Sequence, residues 1–382
     1  MAASFRQAAT SASSSFVARP TFEVSSSIVR SYFLGHHAGA LASMRQKLSN
    51  ISLIIECRDS RVPLTSTNPL LESALAGRDR IIVYSKADLS FPPSGSRHKQ
   101  KQEELLRKWH MERRGMGVGV VGDASGIGTT EVVFTDERQP KTIQRLLDAM
   151  KDRACAIDSL TGMRALVVGM PNAGKSTLLN AMRRVGMRMG KAAKTGAEPG
   201  VTRKLSTPVR VIPEDTAAGI DSGVFVTDTP GVFVPYVGDL DSMLKLSLVG
   251  CVKDGVVSTE TIADYLLFHM NLRDPSLYKE FCPPTNNIFE FLDAVAIRTG
   301  KLQKGGAPAQ ELAANWVIQQ WRKGNLGRFS LDEVTEETLQ NWAKMGQAAG
   351  VGEQQTSLSQ ARKKEKEVRK ARNLAKREAS GA

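Results

Sequence analysis

Residues 165–177 read ALVVGMPNAGKST. The apolar run Ala165–Val168 predicts a buried strand, and Leu178, Leu179 and Met182 predict a helix immediately downstream. Between them, Gly169, Gly174, Lys175 and Ser176 satisfy the spacing G-x-x-x-x-G-K-[ST]. The strand–loop–helix setting gives that spacing its meaning. Glycines let successive backbone N–H groups turn toward a phosphate at a helix N-terminus, where the helix dipole also favours negative charge. Lys175 then reaches the β and γ phosphates, and the Ser176 hydroxyl ligates Mg²⁺. Asn172, Ala173, Gly174, Lys175, Ser176 and Thr177 are therefore candidate binding residues for a nucleoside triphosphate.

Outward from this loop, short apolar runs alternate with helical spacing. Ile51–Ile55, Ile81–Tyr84, Val118–Val121, Val132–Thr135, Val209–Ile212 and Val224–Thr227 predict strands, with helical patterns over 98–111 and 141–151 between them. Such alternation implies an α/β fold with a doubly wound parallel sheet covered on both faces. After about residue 240 the pattern becomes helical. Apolar residues recur at three- and four-residue spacing over Leu240–Val249, Thr259–Met270, Asn287–Thr299 and Ala309–Lys323, which predicts a small all-α C-terminal domain. The expected organisation is an N-terminal segment over 1–30, an α/β domain over 31–260, a helical domain over 261–350 and a basic tail over 351–382.

Composition sets the outer limits. The 382 residues suit two or three domains, and 41% hydrophobic with 24% charged residues is ordinary for globular protein. The cysteines Cys57, Cys155, Cys251 and Cys282 lie far apart and form no C-x-x-C pair, which argues against a zinc module and a disulfide framework and suits a reducing compartment. No stretch approaches the roughly 18 apolar residues of a membrane-spanning helix. The net charge of +13 points to a polyanionic partner. From Ser359 onward there are nine Lys/Arg against three Glu, so nearly half the excess lies in the tail. Residues 1–30 are rich in Ser and Ala and hold Arg6, Arg19 and Arg30 against the single acid Glu23. That is the composition of a mitochondrial transit peptide, with a disordered tail as the alternative.

Three further motifs bear on the nucleotide. Asp228-Thr229-Pro230-Gly231 follows the strand Val224–Thr227, so Asp228 is placed to hold Mg²⁺ and the Gly231 N–H to meet the γ-phosphate. Pro199-Gly200-Val201-Thr202 lies between, with Thr202 as a candidate switch threonine over Mg²⁺ and the γ-phosphate. Guanine presents N1–H and N2–H₂ donors, and a carboxylate at a strand end satisfies both. Ser85-Lys86-Ala87-Asp88 supplies one after the strand Ile81–Tyr84, about 80 residues ahead of the phosphate loop. Asp88 would read guanine while the Lys86 stem packs over the base.

The order SKAD (85–88), FTDE (134–137), GMPNAGKST (169–177), PGVT (199–202) and DTPG (228–231) resembles that of the circularly permuted GTPases of the YlqF/YawG type, and most closely their mitochondrial ribosome-associated branch. Asp59-Ser60-Arg61-Val62-Pro63 resembles the family's D-A-R-x-P motif, Tyr32–His36 its W-F-P-G-H segment, and Gly324–Phe329 a signature of its helical C-terminal domain. The similarity runs from about 31 to 335. Ser85 stands where the family carries Asn, and Thr135 and Asp136 take the place of its backbone-donating S-A motif.

The resemblance implies a slow GTPase that binds GTP and GDP with Mg²⁺. Many GTPases orient the attacking water with a Gln just after D-x-x-G, where this chain has Val232 and Phe233. His36 is the candidate replacement, with a packing role as its alternative; Thr202 and Gly231 complete the catalytic set. Asn172 resembles the phosphate-loop Asn of potassium-stimulated GTPases, which implies either K⁺ assistance or a structural role in the loop. Arg183, Arg184, Arg188, Lys191 and Lys194 form a basic stretch suited to RNA phosphates.

The implied partners are the mitochondrial large ribosomal subunit and its rRNA, met by a monomer in the matrix. Two rival readings are an rRNA-binding scaffold with structural GTP, and a peripheral inner-membrane regulator held by the basic tail.

Overall fold

The computed structural model describes residues 16–23, 44–115 without 45, 129–193 without 158 and 160, 206–232, 237 and 239–342. The candidate strand over 118–121, the switch segment with Thr202, His36 and the basic tail lie outside them.

Six strands form one sheet: β1 (Leu53–Asp59), β2 (Arg80–Ser85), β3 (Thr130–Phe134), β4 (Met163–Gly169), β5 (Val209–Ile212) and β6 (Val224–Asp228). Their order is β3-β2-β1-β4-β6-β5. All neighbours pair in parallel except β5 and β6, which are antiparallel. The exception has a simple cause. A parallel pair needs a crossover of a dozen or more residues, and the short link from Ile212 to Val224, folded on a turn at Thr216–Ala218, is too short for one.

The central strands are buried on both faces, which is why they read as continuous apolar runs. Helices α1 (Pro69–Ala74), α2 (Ser96–Gly115), α3 (Pro140–Ile157), α4 (Lys175–Met187) and α5 (Leu240–Leu248) belong to this unit. On one face Leu53, Ile55, Val83, Ala165 and Val167 pack with Ile143, Leu147 and Met150 of α3 and Leu178, Leu179 and Met182 of α4. On the other, Ile54, Leu166 and Val168 pack with Met44, Leu48, Leu71 and Val232. The sheet is thus covered on two sides, as a doubly wound fold requires. Because β1, β2, β3, β4 and β6 run the same way, DSRVP, SKAD, TDE, the phosphate loop and DTPG all emerge at one edge.

Contacts divide the chain into two units. Among the described residues, one contains 16–23 and 259–320; the other contains those between 44 and 258 together with 321–342. The first holds α6 (Thr259–Arg273), α7 (Ile288–Thr299) and most of α8 (Gln310–Arg322). Asn287 starts α7 by accepting from the Phe289 N–H, and Gly300 ends it in a left-handed conformation.

Two features differ from the sequence reading of the domains. The segment 321–342 groups with the sheet rather than with the helices. And residues 16–23, inside the stretch read as a transit peptide, have a defined place in the helical unit. Arg19 forms a bidentate pair with Asp264 at 2.6 and 3.2 Å, Asn286 donates to the Val17 carbonyl, and the Phe22 ring lies edge-on to Tyr265 and beside Phe268.

Candidate nucleotide-binding site

The phosphate loop is shaped by close approaches that only glycine permits. Gly169 ends β4 at φ +145, and a Cβ there would sit 2.3 Å from the Cys57 carbonyl oxygen. Gly231 lies against the loop from the DTPG side, where a Cβ would fall 2.5 Å from the backbone of Pro171. Asn172 takes a left-handed φ of 54, a conformation Asn tolerates better than most residues, and its Nδ2 donates to the Gly250 carbonyl at 2.8 Å. The phosphate loop is therefore tied to the turn that follows α5.

Lys175 opens α4 and is buried, with Nζ donating to the Met170 carbonyl at 2.7 Å and the Gly169 carbonyl at 3.3 Å. Burial pulls the Lys175 ammonium below its ordinary pKa, with Asp228 working against that shift. Ser176 Oγ donates to Asp228 Oδ2 at 2.5 Å, while Asp228 Oδ1 is buried with no hydrogen-bond partner. Burial also pushes the Asp228 carboxyl above the usual carboxylate range, partly offset by Ser176 and Lys175. A buried, unpartnered carboxylate oxygen beside a hydroxyl is a hard oxygen donor set, and it fits Mg²⁺.

DTPG is itself held firmly. Thr229 Oγ1 donates to the Val167 carbonyl and the Val232 N–H to the Gly169 carbonyl. Val232 is only 2% exposed and packs into the core with Leu71 and Val168. The side chain at the usual water-orienting position thus faces the core.

SKAD lies at the end of β2. The Ser85 hydroxyl donates to the Ala173 carbonyl at 2.6 Å, with the Arg58 carbonyl at 3.1 Å. Lys86, at φ 54, donates from Nζ to the Asn172 carbonyl at 2.9 Å and to Asp59 Oδ2 at 2.8 Å. Asp88 is half-buried, and desolvation raises its carboxyl; neighbouring Asp136 pushes the same way, while Arg138 and Arg328 oppose it.

Thr135 and Asp136 reach this end of the site, but their amides are already engaged. Thr135 N donates to the Tyr84 carbonyl and Asp136 N to Thr142 Oγ1. Neither amide is available to guanine O6 in this arrangement, so the backbone-donor role expected of this pair is not the one the geometry favours. Glu137, one residue on, lies in the field of Lys86 and Asp88.

The structure brings together Ser85, Lys86, Asp88, Asn172, Ala173, Gly174, Lys175, Ser176, Asp228 and Gly231 along one edge of the sheet. Thr177 follows on the first turn of α4. His36 and Thr202 lie outside the described residues. Sequence reasoning assigned no role to Asp59 and Arg61. The signal was present in DSRVP at the end of a buried strand, but Lys86 as the partner of Asp59 was not readable from it.

A family model for "50S ribosome-binding GTPase" matches residues 164–293. "Mitochondrial GTPase 1" of Schizosaccharomyces pombe is 38% identical over 326 residues, 85% of this chain and 95% of that protein. "Mitochondrial ribosome-associated GTPase 1" of Xenopus tropicalis is 30% identical over 337 residues, 83% of this chain and 99% of that protein. "Ribosome biogenesis GTPase A" of Priestia megaterium is 27% identical over 310 residues, 80% of this chain and 97% of that protein.

Proposed function

The chain belongs to the mitochondrial GTPase 1 family of circularly permuted GTPases, and we propose that it acts as a GTP-dependent switch on the maturing mitochondrial large ribosomal subunit. It is a mitochondrial GTPase of ribosome assembly. In the proposed cycle it works in the matrix, binds rRNA and is stimulated by the ribosome.

One observation carries it most directly. The guanine-reading and phosphate-holding motifs lie far apart in sequence and in permuted order, yet they emerge along one sheet edge and bond to each other through Ser85–Ala173 and Lys86–Asn172. A parallel sheet assembles strand ends regardless of chain order, so permutation leaves the site intact.

In this reading Asp88 accepts from guanine and the Lys86 stem packs over the base. The α4 N-terminus and the loop amides receive the phosphates, with Lys175 leaving its loop carbonyls for the β and γ oxygens. Ser176 and Asp228 hold Mg²⁺, which when bound neutralises charge on the β and γ phosphates. The Gly231 N–H senses the γ-phosphate, and the chain passes from there into α5, so nucleotide state biases the segment leading to the helical unit.

With Val232 in the core, no side chain at that position orients water. Hydrolysis is then slow until another group completes the site, with Thr202 and His36 as this chain's own candidates. K⁺ assistance would enlist the Asn172 side-chain oxygen, and equal rates in KCl and NaCl would exclude it.

The basic residues Arg183, Arg184, Arg188 and Lys191 are proposed to meet rRNA phosphates, giving salt-dependent binding. Among the described residues no helix is long and apolar enough to cross a membrane.

Co-sedimentation with purified mitochondrial large subunits tests the switch. Binding is expected with a non-hydrolysable GTP analogue and not with GDP. Equal binding in both states would contradict a switch and favour a scaffold.

A further inference from the structure

Asp59 and Arg61 belong to DSRVP, a motif that holds none of the residues read as touching the nucleotide. Asp59 ends β1 and is fully buried. Its Oδ1 accepts from Arg61 Nε at 2.9 Å and from the Arg61 N–H at 3.0 Å; its Oδ2 accepts from Arg61 Nη2 at 2.7 Å and from Lys86 Nζ at 2.8 Å. Burial works to raise the Asp59 carboxyl, but Arg61 and Lys86 outweigh it and hold it well below the usual carboxylate range. One ionised carboxylate thus orients the ammonium of the lysine that packs over the base.

Arg61 is held in turn. Its guanidinium lies 4.9 Å above the Trp321 ring, and its carbonyl accepts from the Leu331 N–H at 2.7 Å and from Ser330 Oγ at 3.2 Å. The adjoining loop is clamped by Asp332, which accepts from the Leu64 and Thr65 N–H groups and from Thr65 Oγ1 at 2.6 Å. Lys245 of α5 also reaches Asp332, at 3.3 Å. Gly324 approaches the Leu89 side chain, one residue beyond SKAD. A segment some 267 residues away in sequence therefore fixes the loop that carries Arg61, and through Asp59 the position of Lys86.

We propose that Asp59 and Arg61 are positioning residues for guanine recognition, and that the segment Ser330–Asp332 sets nucleotide affinity by holding them in register. The proposal rests on the reading that Lys86 and Asp88 bind the base. Its physical basis is that Lys86 has rotatable bonds along its whole stem, and an ammonium pinned between Asp59 and the Asn172 carbonyl has far less freedom than a solvated one. Preorganised binding groups lose less entropy when ligand arrives. Asp332 lies on none of the elements that carry base or phosphate groups; it reaches them through the loop it clamps and through Lys245 of α5, and Ser330→Ala, which leaves the Lys245 pair in place, isolates the first route.

The test uses the full-length protein and fluorescent GDP titration, with inosine diphosphate as a second ligand because it lacks the guanine N2 donors. The variants are Asp59→Asn, Asp332→Ala, Ser330→Ala and Asp88→Asn, each first checked for folding by nucleotide-free thermal unfolding. Asp59→Asn and Asp332→Ala are expected to weaken GDP binding about tenfold, the scale of losing one charged hydrogen bond, and to narrow the preference for GDP over inosine diphosphate. Ser330→Ala is the milder variant should Asp59→Asn not fold, with the same direction expected.

Asp88→Asn tests the underlying reading and is expected to shift preference to xanthosine diphosphate. If Asp88→Asn shifts preference while Asp332→Ala and Ser330→Ala bind GDP with unchanged affinity and selectivity, the relay is overturned and the base reading stands. If Asp88→Asn does not shift preference, both fall together.

Discussion

The Ser85 hydroxyl donates to the Ala173 carbonyl across 2.6 Å, joining the base-reading loop to the phosphate loop. A serine in a position where the family carries Asn thus keeps a direct bond between the two loops. Ser85→Ala removes that bond and strands a buried carbonyl lone pair, although Cys57 Sγ also approaches the same oxygen. GDP affinity measured by titration is expected to fall about fivefold, corresponding to roughly 1 kcal/mol for one neutral hydrogen bond. Unchanged affinity would show that the Cys57 contact suffices.

Asp228 gives the site a pH signature. Desolvation raises its carboxyl in the folded protein, so between the ordinary carboxylate pKa and the folded value the unfolded chain binds fewer protons than the native one. Nucleotide-free stability is therefore expected to fall as pH rises through that window. Asp228→Asn removes the buried charge. It should flatten the slope and raise the nucleotide-free unfolding temperature at neutral pH, while abolishing Mg²⁺-dependent GTP binding.

Restoring a glutamine after DTPG is not expected to restore fast hydrolysis. Val232 is buried in the core, so Val232→Gln places a carboxamide among Leu71 and Val168. The cost is about 1–3 kcal/mol for an unsatisfied buried polar group. Thermal unfolding should register that loss, and the intrinsic GTPase rate should not rise.

The N-terminal strap separates two truncations. Deleting residues 1–15 keeps the Arg19–Asp264 pair and the Phe22 contacts, and this shorter truncation is the reference for the longer one. Deleting 1–23 uncovers Tyr265 and Phe268 and is expected to cost about 1–2 kcal/mol, seen as a lower unfolding temperature.

Much of the candidate site's geometry is legible in sequence because its signals are local. Gly169, Gly174, Lys175 and Ser176 carry their chemistry within eight residues, and the flanking strand and helix follow from adjacent apolar runs. Val209–Ile212 was readable as a strand, but not its antiparallel pairing, which depends on the length of the connection to β6. The engagement of the Asp136 amide was hidden because its partner is the Thr142 hydroxyl, a choice made by loop geometry. Arg19 and Phe22 were read as leader because their composition suits one, and their partners lie about 245 residues away. DSRVP was visible as a motif, yet the bond from Lys86 to Asp59 exists only once β1 and β2 lie side by side.

The proposed switch is a GTPase triggered by the ribosome. Its most direct test is GTP hydrolysis by the full-length protein, with and without purified mitochondrial large subunits, alongside Lys175→Ala. Slow intrinsic turnover, strongly stimulated by the subunits and abolished in Lys175→Ala, is the expected result. Tight GTP binding with a rate the subunits leave unchanged would contradict it.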